Sequence, residues 1–422
     1  MGIVVQKFGG TSVGNADRIR NVAKRIAATA DSGSRVVAVV SAMGDTTDEL
    51  RSLASEITHR PPPRELDMLL SSGERISMAL VAMAIDALGR HAESYTGSQA
   101  GIITDALHGR ARIADIRPTR ILDALDRGTI PIIAGFQGVA EETLDITTLG
   151  PGASDLTAIA LAAALGADVC EIYTDVDGVY SADPRIVANA RKLHAVSYEE
   201  MLEMAATGAR VLQARSVELA RNQKVLVHVR SSFVDADGTF IREEDERMME
   251  KAIISAVTHD ASEAKVTLVR VSDRPGVAAK VFRHLADVNV NVDMIVQNVS
   301  HDGRTDISFT VPKSETASTL EVLDEIASTV GADEYTHDEN IARVSLVGAG
   351  MRSHPGVSAD MFEALSDAGV NIEMISTSAI RISCIVREDQ VEQAVRAVHD
   401  RFKLSDEVVL RAEHPESEPD AG

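Results

Sequence analysis

Two glycine-containing stretches carry the residue types that a phosphate requires. The first, Gln6-Lys7-Phe8-Gly9-Gly10-Thr11-Ser12, ends an apolar run begun at Ile3. A lysine beside two glycines brings a point charge and bare backbone N–H groups to one anion. It is not the Gly-x-x-x-x-Gly-Lys-Ser/Thr loop, because here the lysine precedes the glycines. The second, residues 145–158, reads Asp-Ile-Thr-Thr-Leu-Gly-Pro-Gly-Ala-Ser-Asp-Leu-Thr-Ala. A β-branched run ends at Thr148, Gly150-Pro151-Gly152 turns the chain, and Ser154-Asp155 open an apolar run to Leu165. That order predicts strand, glycine turn and helix start. A helix N-terminus offers a phosphate unpaired N–H groups and the positive end of its dipole. Ser154 is the expected helix cap, and Asp155 the group that orders a lysine or a metal ion. An ordinary capped strand-to-helix turn explains this segment, taken alone, equally well.

Strands alternating with helices over residues 1–230 place these turns in an α/β domain, a mostly parallel open sheet with helices on both faces. Asn15 or Asp17 is the expected cap of a helix reaching Ala28. Residues 34–41 read as a buried parallel strand, followed over 42–48 by a polar loop at its carboxyl end, where open sheets bind ligands. Residues 59–63 form a stiff Pro-rich spacer. Ser71-Ser72-Gly73-Glu74-Arg75 opens an apolar helix to Leu88, whose dipole favours Glu74. Residues 130–134 and 169–173 are further buried strands. The segment 174–185 holds acids around Gly178 but lacks the glutamate that closes a calcium loop. Residues 231–262 are polar and read as a linker.

With 422 residues, 45% hydrophobic and 25% charged, the chain has the composition of a soluble globular protein of two or three domains. A formal charge of −22 argues against nucleic acid and anionic membrane as partners. An anionic ligand must therefore find locally concentrated positive charge or bring Mg²⁺. Tryptophan is absent and aromatics are 3%, so stacking is a poor basis for ligand binding. Cys170 and Cys384 lie in apolar runs without metal-ligand spacing, as buried thiols of a reducing cytoplasm do. The longest apolar run, 158–166, is too short to cross a bilayer, and the N-terminus lacks secretory and myristoylation patterns.

The last third contains a duplication. Lys265-Val266-Thr267-Leu268-Val269 matches Arg343-Val344-Ser345-Leu346-Val347, Pro275-Gly276-Val277-Ala278 matches Pro355-Gly356-Val357-Ser358, and Asn291-Val292-Asp293-Met294-Ile295 matches Asn371-Ile372-Glu373-Met374-Ile375. Each copy reads strand, Pro-Gly loop, helix, strand, strand, helix, a ferredoxin-like βαββαβ unit. Gly348-Ala349-Gly350 lacks the third glycine of a dinucleotide fingerprint. An uncovered edge of such a sheet favours pairing with another chain. Residues 413–422, rich in Glu, Pro, Asp and Ser, read as a disordered tail.

The two glycine stretches resemble the Lys-Phe-Gly-Gly-Thr-Ser and Thr-Thr-Leu-Gly-Arg-Gly-Gly-Ser-Asp motifs of the aspartate kinases, in the amino-acid kinase family, and the resemblance extends over nearly the whole chain. It implies a catalytic domain over 1–230, a linker over 231–262, and ACT domains over 263–340 and 341–412. By this resemblance Lys7 and Asp155 are catalytic. ATP would be held by Lys7, Phe8, Gly9, Gly10, Ser41 and Ser154, with Tyr173, Thr174, Asp175, Val179, Tyr180, Asp183, Pro184 and Arg185 around adenine and ribose. Gly9 and Gly10 would supply N–H groups to phosphate. The amino-acid pocket would comprise Thr46, Thr47, Glu74, Gly135 and Phe136 with Pro151, Gly152, Ala153 and Ser154, Glu74 receiving the substrate's ammonium. Mg²⁺ would arrive with ATP, no metal site being evident from side-chain motifs.

The tandem ACT units imply an amino-acid effector, lysine or threonine or both. In the first unit its contacts would fall on Asp273, Arg274, Pro275, Gly276, Val277, Ala278, Asn291, Val292, Asp293 and Gln297. In the second they would fall on Val357, Ser358, Asn371, Ile372, Ser378 and Ala379. A homodimer through these domains is expected, enlarged where a shorter chain starts internally at Met248 or Met249.

Three residues in the second motif depart from the family: Pro151 stands for arginine, Ala153 for glycine and Leu156 for threonine. Losing a charged carboxylate contact costs roughly 1.5–3 kcal/mol, about one to two powers of ten in affinity. Proline also removes an N–H, and Ala153 adds a methyl where positive φ is a concern. Ala379 stands where the family has glutamate, which predicts weaker feedback. Three readings follow: an aspartate kinase feeding lysine, threonine and methionine synthesis, with another cation in place of the arginine; a paralogue acting on a different small carboxylic acid; or a silent regulatory protein that retains the ATP and effector sites.

Overall fold

The computed structural model describes residues 2–244, 254–298, 302–354 and 356–406; Met248, Met249 and the acidic tail lie outside them. The chain divides into two compact units, one of residues 1–179 and 192–244, the other of residues 180–191 and 245–422.

The first unit is built on an eight-stranded sheet. Its order is Ala195–Ser197, Thr239–Arg242, Val227–Ser231, Val169–Thr174, Ile3–Phe8, Arg35–Val40, Ile130–Ala134 and Ala92–Tyr95. Every neighbouring pair is parallel except Val227–Ser231 with Thr239–Arg242. Strands Arg35–Val40 and Ile130–Ala134 are nearly unbroken apolar runs, as strands covered on both faces are. On one face Phe8, Val36, Ala38 and Val40 pack against Ile19, Val22 and Ile26 of helix Ala16–Asp31 and Val81 and Ile85 of helix Ser72–Asp86. The first of these helices presents its apolar residues at three- and four-residue spacing, and Asn15 caps it by accepting from Arg18 N at 3.0 Å. Helix Ala153–Leu165 is buried almost throughout.

A second sheet was not anticipated. It has the order Ile113–Ile116, Ile102–Thr104, Gln137–Ala140, Ile146–Thr148. The strand leading into the Gly-Pro-Gly turn belongs to this small sheet. Strands of three and four residues carry too little periodicity to be read from sequence. The helical stretch Pro63–Asp86 is the one described segment long and apolar enough to cross a bilayer, and half of its apolar window is buried.

The second unit contains two four-stranded sheets. One has the order Ile295–Gln297, Arg304–Pro312, Glu263–Ser272, Glu334–Asp338, with helices Val277–Asp287 and Thr316–Val330. That is a complete βαββαβ unit. The other contains Ile341–Val347, Arg381–Arg387 and Met374–Thr377, but its fourth strand, Ala256–Asp260, precedes the first unit in the chain. The first ferredoxin-like unit is thus inserted between two neighbouring strands of the second. Thr239–Arg242 and Ala256–Asp260 both fall inside the stretch expected to be a linker. Their few apolar residues are diluted among charged neighbours, which hid both strands. Gly276 (φ 91°) and Gly356 (φ 106°) cap equivalent helices in the left-handed region, so the repeat extends to backbone conformation.

Candidate active site

Lys7 stands at the carboxyl end of strand Ile3–Phe8, and Asp155 in the first turn of helix Ala153–Leu165. Lys7 Nζ lies 2.6 Å from Asp155 Oδ1, with both side chains about nine-tenths buried. Strand register and helix start thus bring the two predicted catalytic residues together. The Lys7 ammonium also passes close over Gly9, 3.4 Å from where a Cβ would stand.

The backbone around them differs from expectation in three respects. Gly9 N–H does not face outward; it donates to Tyr173 O at 3.2 Å, binding the two strand ends together. Ser154 does not cap the helix, since Gly152, left-handed at φ 70°, occupies that position without a side-chain cap. Ser154 instead stands against Gly135, where a Cβ would lie 2.7 Å from Ser154 Oγ, so that turn accepts only glycine. Ala153 is not among the residues with positive φ; the left-handed positions are Gly150 (φ 92°) and Gly152, flanking exposed Pro151. The Ala153 methyl is buried with Leu70, Ala111, Phe136, Leu149 and Leu156, so neither it nor Leu156 strains the turn.

Phe8 and Tyr173, expected at the nucleotide, stack ring on ring with centroids 4.8 Å apart and are fully buried. Only their backbone reaches the site. Ser41 N donates to Phe8 O at 3.1 Å and Ser41 O accepts from Ser77 Oγ at 2.6 Å, fixing the neighbouring strand end. Thr174 Oγ1 donates to Asp175 Oδ1 at 3.0 Å, and Val179 N to Thr239 Oγ1 at 2.8 Å. Tyr180, Asp183, Pro184 and Arg185 belong to the second unit, where Asp183 and Arg185 pair at 2.6 Å. Expected nucleotide residues are therefore divided between the two compact units.

Glu74, 3% exposed, sits in the first turn of helix Ser72–Asp86. Its Oε1 accepts Ala42 N at 3.2 Å; its Oε2 is buried without a hydrogen-bond partner among the described residues. Burial pushes its pKa up to about 7. Such an oxygen fits an incoming ammonium. Gln137 Nε2 donates to Ser71 O at 3.0 Å and Phe136 N to Thr157 Oγ1 at 3.2 Å, so the 135–137 turn is fixed from both sides. Thr46 and Thr47 begin helix Thr46–Ile57 after the 42–45 loop. Among the described residues no group of three or more His, Cys, Asp or Glu is placed to hold a metal alone; Asp155 is the carboxylate that would join the shell of a nucleotide-borne Mg²⁺ beside Lys7.

Sequence reasoning missed two supports of this site. Asp67, 1% exposed, accepts from Thr148 Oγ1 at 2.5 Å and Gly109 N at 3.0 Å, and lies 2.8 Å from His108 Nδ1. Its signal was its spacing, three residues before Leu70, which puts an acid on the buried face of helix Pro63–Leu70. Arg215 donates from Nη1 to Leu149 O and from Nη2 to Ala111 O, both at 2.8 Å. Nothing in its sequence context marks it.

Of the expected effector residues, Asp273, Arg274, Pro275 and Gly276 form an exposed loop before helix Val277–Asp287, which also contains Ala278. Asn291 N donates to Glu315 Oε2 at 2.8 Å, while Val292 and Ile372 pack into the cores of their own units. Asp293 is ion-paired with Arg343. Gln297, Ser358, Asn371, Ser378 and Ala379 are exposed, and Val357 is buried.

The family model described as Amino acid kinase family matches residues 2–231, and that described as ACT domain matches 266–326 and 344–402. The aspartokinase of Mycobacterium tuberculosis is 58% identical over 407 residues, covering 96% of this chain and 97% of its own. The chain belongs to the aspartokinases of the amino acid kinase family. Among solved structures, E. coli aspartokinase III in complex with aspartate and ADP (R-state) superposes with a TM-score of 0.80 at 27% identity, covering 95% of this chain and 100% of that one. The same enzyme in complex with lysine and aspartate (T-state) gives 0.75 at 27% identity, over 95% and 99%. The chain is thus a kinase with an amino acid kinase fold followed by ACT domains, as the sequence motifs implied.

Proposed function

We propose that this aspartokinase transfers the γ-phosphoryl group of ATP to the side-chain carboxylate of L-aspartate, giving 4-phospho-L-aspartate, in the cytoplasm and as the first step toward lysine, threonine and methionine. The observation that carries the mechanism is the buried Lys7–Asp155 pair between the two glycine turns. A carboxylate is already ionised at pH 7 and needs no general base. One of its oxygens forms a bond to the γ-phosphorus, the bridging P–O bond breaks, and ADP leaves with the electron pair. Rate then depends on alignment and on neutralising charge around the transferring group. Lys7, held by Asp155, supplies positive charge there; Mg²⁺ bound with ATP would neutralise the remaining phosphate oxygens.

Glu74 Oε2 receives the substrate ammonium, and its buried, partnerless state supports that role. The ACT domains bind lysine, threonine or both, in a dimer formed through their sheets. Trapping the acyl phosphate with hydroxylamine in the presence of MgATP and L-aspartate tests the reaction. Hydroxamate formed from aspartate supports it; hydroxamate formed only from another carboxylic acid, or from none, refutes it.

A further inference from the structure

Phe136 is held in a backbone conformation that its side chain resists. Its φ is 67°, in the left-handed region where a bulky side chain crowds the chain. Leu144, Lys224, Arg270, Asn289 and Lys403 also have positive φ, but all five are exposed. Phe136 is the buried one, with its ring in the apolar cluster around Leu149 and Ala153. Strain of this kind persists only where neighbouring groups enforce it.

The strained turn lies between the two halves of the site. Gly135 N donates to Val40 O at 3.0 Å, on the strand end that leads to Ala42 and so to Glu74. Gly135 also stands against Ser154, the neighbour of Asp155 and hence of Lys7. Leu149 N donates to Phe136 O at 2.9 Å, and Phe136 N donates to Thr157 Oγ1 at 3.2 Å. The second bond sets the direction of the Gly135–Phe136 peptide. That peptide is trans, so with its N–H on helix Ala153–Leu165 the Gly135 carbonyl is turned the opposite way. Turning the peptide over would return Phe136 to an ordinary negative φ, and Gly135, without a Cβ, can absorb the change in ψ.

Thr157 is what opposes that flip. It is fully buried, and its one hydroxyl donates to Ala153 O at 2.9 Å while accepting from Phe136 N. A helical threonine often bonds back to the carbonyl four residues earlier; this one also fixes a backbone group 21 residues away. A buried N–H deprived of its acceptor bears a desolvation cost, so without the hydroxyl both that cost and the strain favour the flipped peptide.

We propose that Thr157 is a positioning residue for the amino-acid substrate: its hydroxyl locks the Gly135–Phe136 peptide, and with it the wall of the pocket between Glu74 and Lys7. The proposal rests on the aspartate reading above. T157V keeps the shape and removes the hydroxyl, and T157S keeps the hydroxyl. In T157V, KM for aspartate should rise about tenfold with KM for MgATP unchanged, and T157S should stay within about twofold of the unaltered chain. A lower melting temperature in T157V with an unchanged KM for aspartate means that Thr157 only braces its helix, and overturns the proposal. Equal rises in both KM values overturn it too, as does a T157S that behaves like T157V. If T157V does not fold, T157C serves, because a thiol is a weak acceptor: it should raise KM for aspartate alone, and an unchanged value overturns the proposal. No phosphorylation of aspartate by the unaltered chain would instead refute the parent reading.

Discussion

Arg343 is ion-paired with Asp293, and Lys265, its counterpart in the repeat, is ion-paired with Glu373, the counterpart of Asp293. The two ACT copies therefore hold each other through a reciprocal exchange: the first-strand cation of each takes the acid that follows the helix of the other. Met294 and Met374, the residues after those acids, share a small apolar cluster with Ile341 and Ile385. The repeat noticed in sequence is thus a pseudo-twofold relation in space.

Arg343 is 1% exposed and also faces Glu263 at 3.0 Å and Asp260 at 3.5 Å, with burial raising the Glu263 pKa to about 7. Arg343→Met should destabilise the second unit by roughly 3–5 kcal/mol, because it strands several carboxylates in a poorly solvated place. Lys265→Met, at a more exposed pair, should cost less. Calorimetric scans of the full chain check this; equal shifts for both variants would refute the account of Arg343 as the buried centre of the network.

With Glu74 as the proposed receiver of the substrate ammonium, aspartate binding is predicted to depend on pH. Its folded pKa is about 7 against an ordinary 4.5, so the folded state holds the proton more tightly than the unfolded chain. Stability is accordingly lost as pH rises from about 4.5 through 7. Binding has the opposite sign, since an ammonium favours the ionised form. KM for aspartate should rise as pH falls below about 7, approaching tenfold per unit, while KM for ATP changes little. Glu74→Gln should abolish that slope and raise KM at pH 8. A pH profile of KM that is the same in both proteins would remove Glu74 from the pocket.

Asp155 holds Lys7 in a 2.6 Å ion pair, and its proposed catalytic role is exerted through that contact. Asp155→Asn keeps the shape but weakens the charge partner, and should lower kcat by about 10²-fold, the order seen when one preorganised electrostatic group is lost. Steady-state kinetics at saturating ATP and aspartate provide the check. A variant with unchanged kcat would mean that Lys7 needs no such orientation.

Ala379 lies exposed in the turn between strands Met374–Thr377 and Arg381–Arg387. If an amino-acid effector binds at this turn, as proposed, Ala379→Glu offers its ammonium a carboxylate. Half-inhibition by lysine or threonine should then need about tenfold less effector, corresponding to one charge-assisted contact of about 1.4 kcal/mol. If titrations of the two proteins coincide, residue 379 does not contact the effector.

The large elements were legible because their patterns are long. Residues 34–41 read as a buried strand from an unbroken apolar run, and Asn15 as a cap from its place before an apolar periodicity. Lys7 and Asp155 were legible as phosphate-type chemistry, although their 2.6 Å pairing is a long-range consequence of strand register. Other features escaped, three of them for reasons that are plain in the structure. Gly152, not Ser154, caps its helix, because the turn demanded positive φ, which serine resists. Tyr173 looked like a ligand contact, yet its ring fills the core against Phe8. Strand Ala256–Asp260 completes a sheet whose other members begin at Ile341, and no local signal can reveal a partner so distant in sequence.

The most direct test is the hydroxamate assay run on the unaltered chain and on Lys7→Ala, with MgATP and L-aspartate saturating. The account predicts steady aspartyl hydroxamate from the former and a rate at least about 10²-fold lower from the latter, with the fold intact. Equal rates from the two proteins would contradict it.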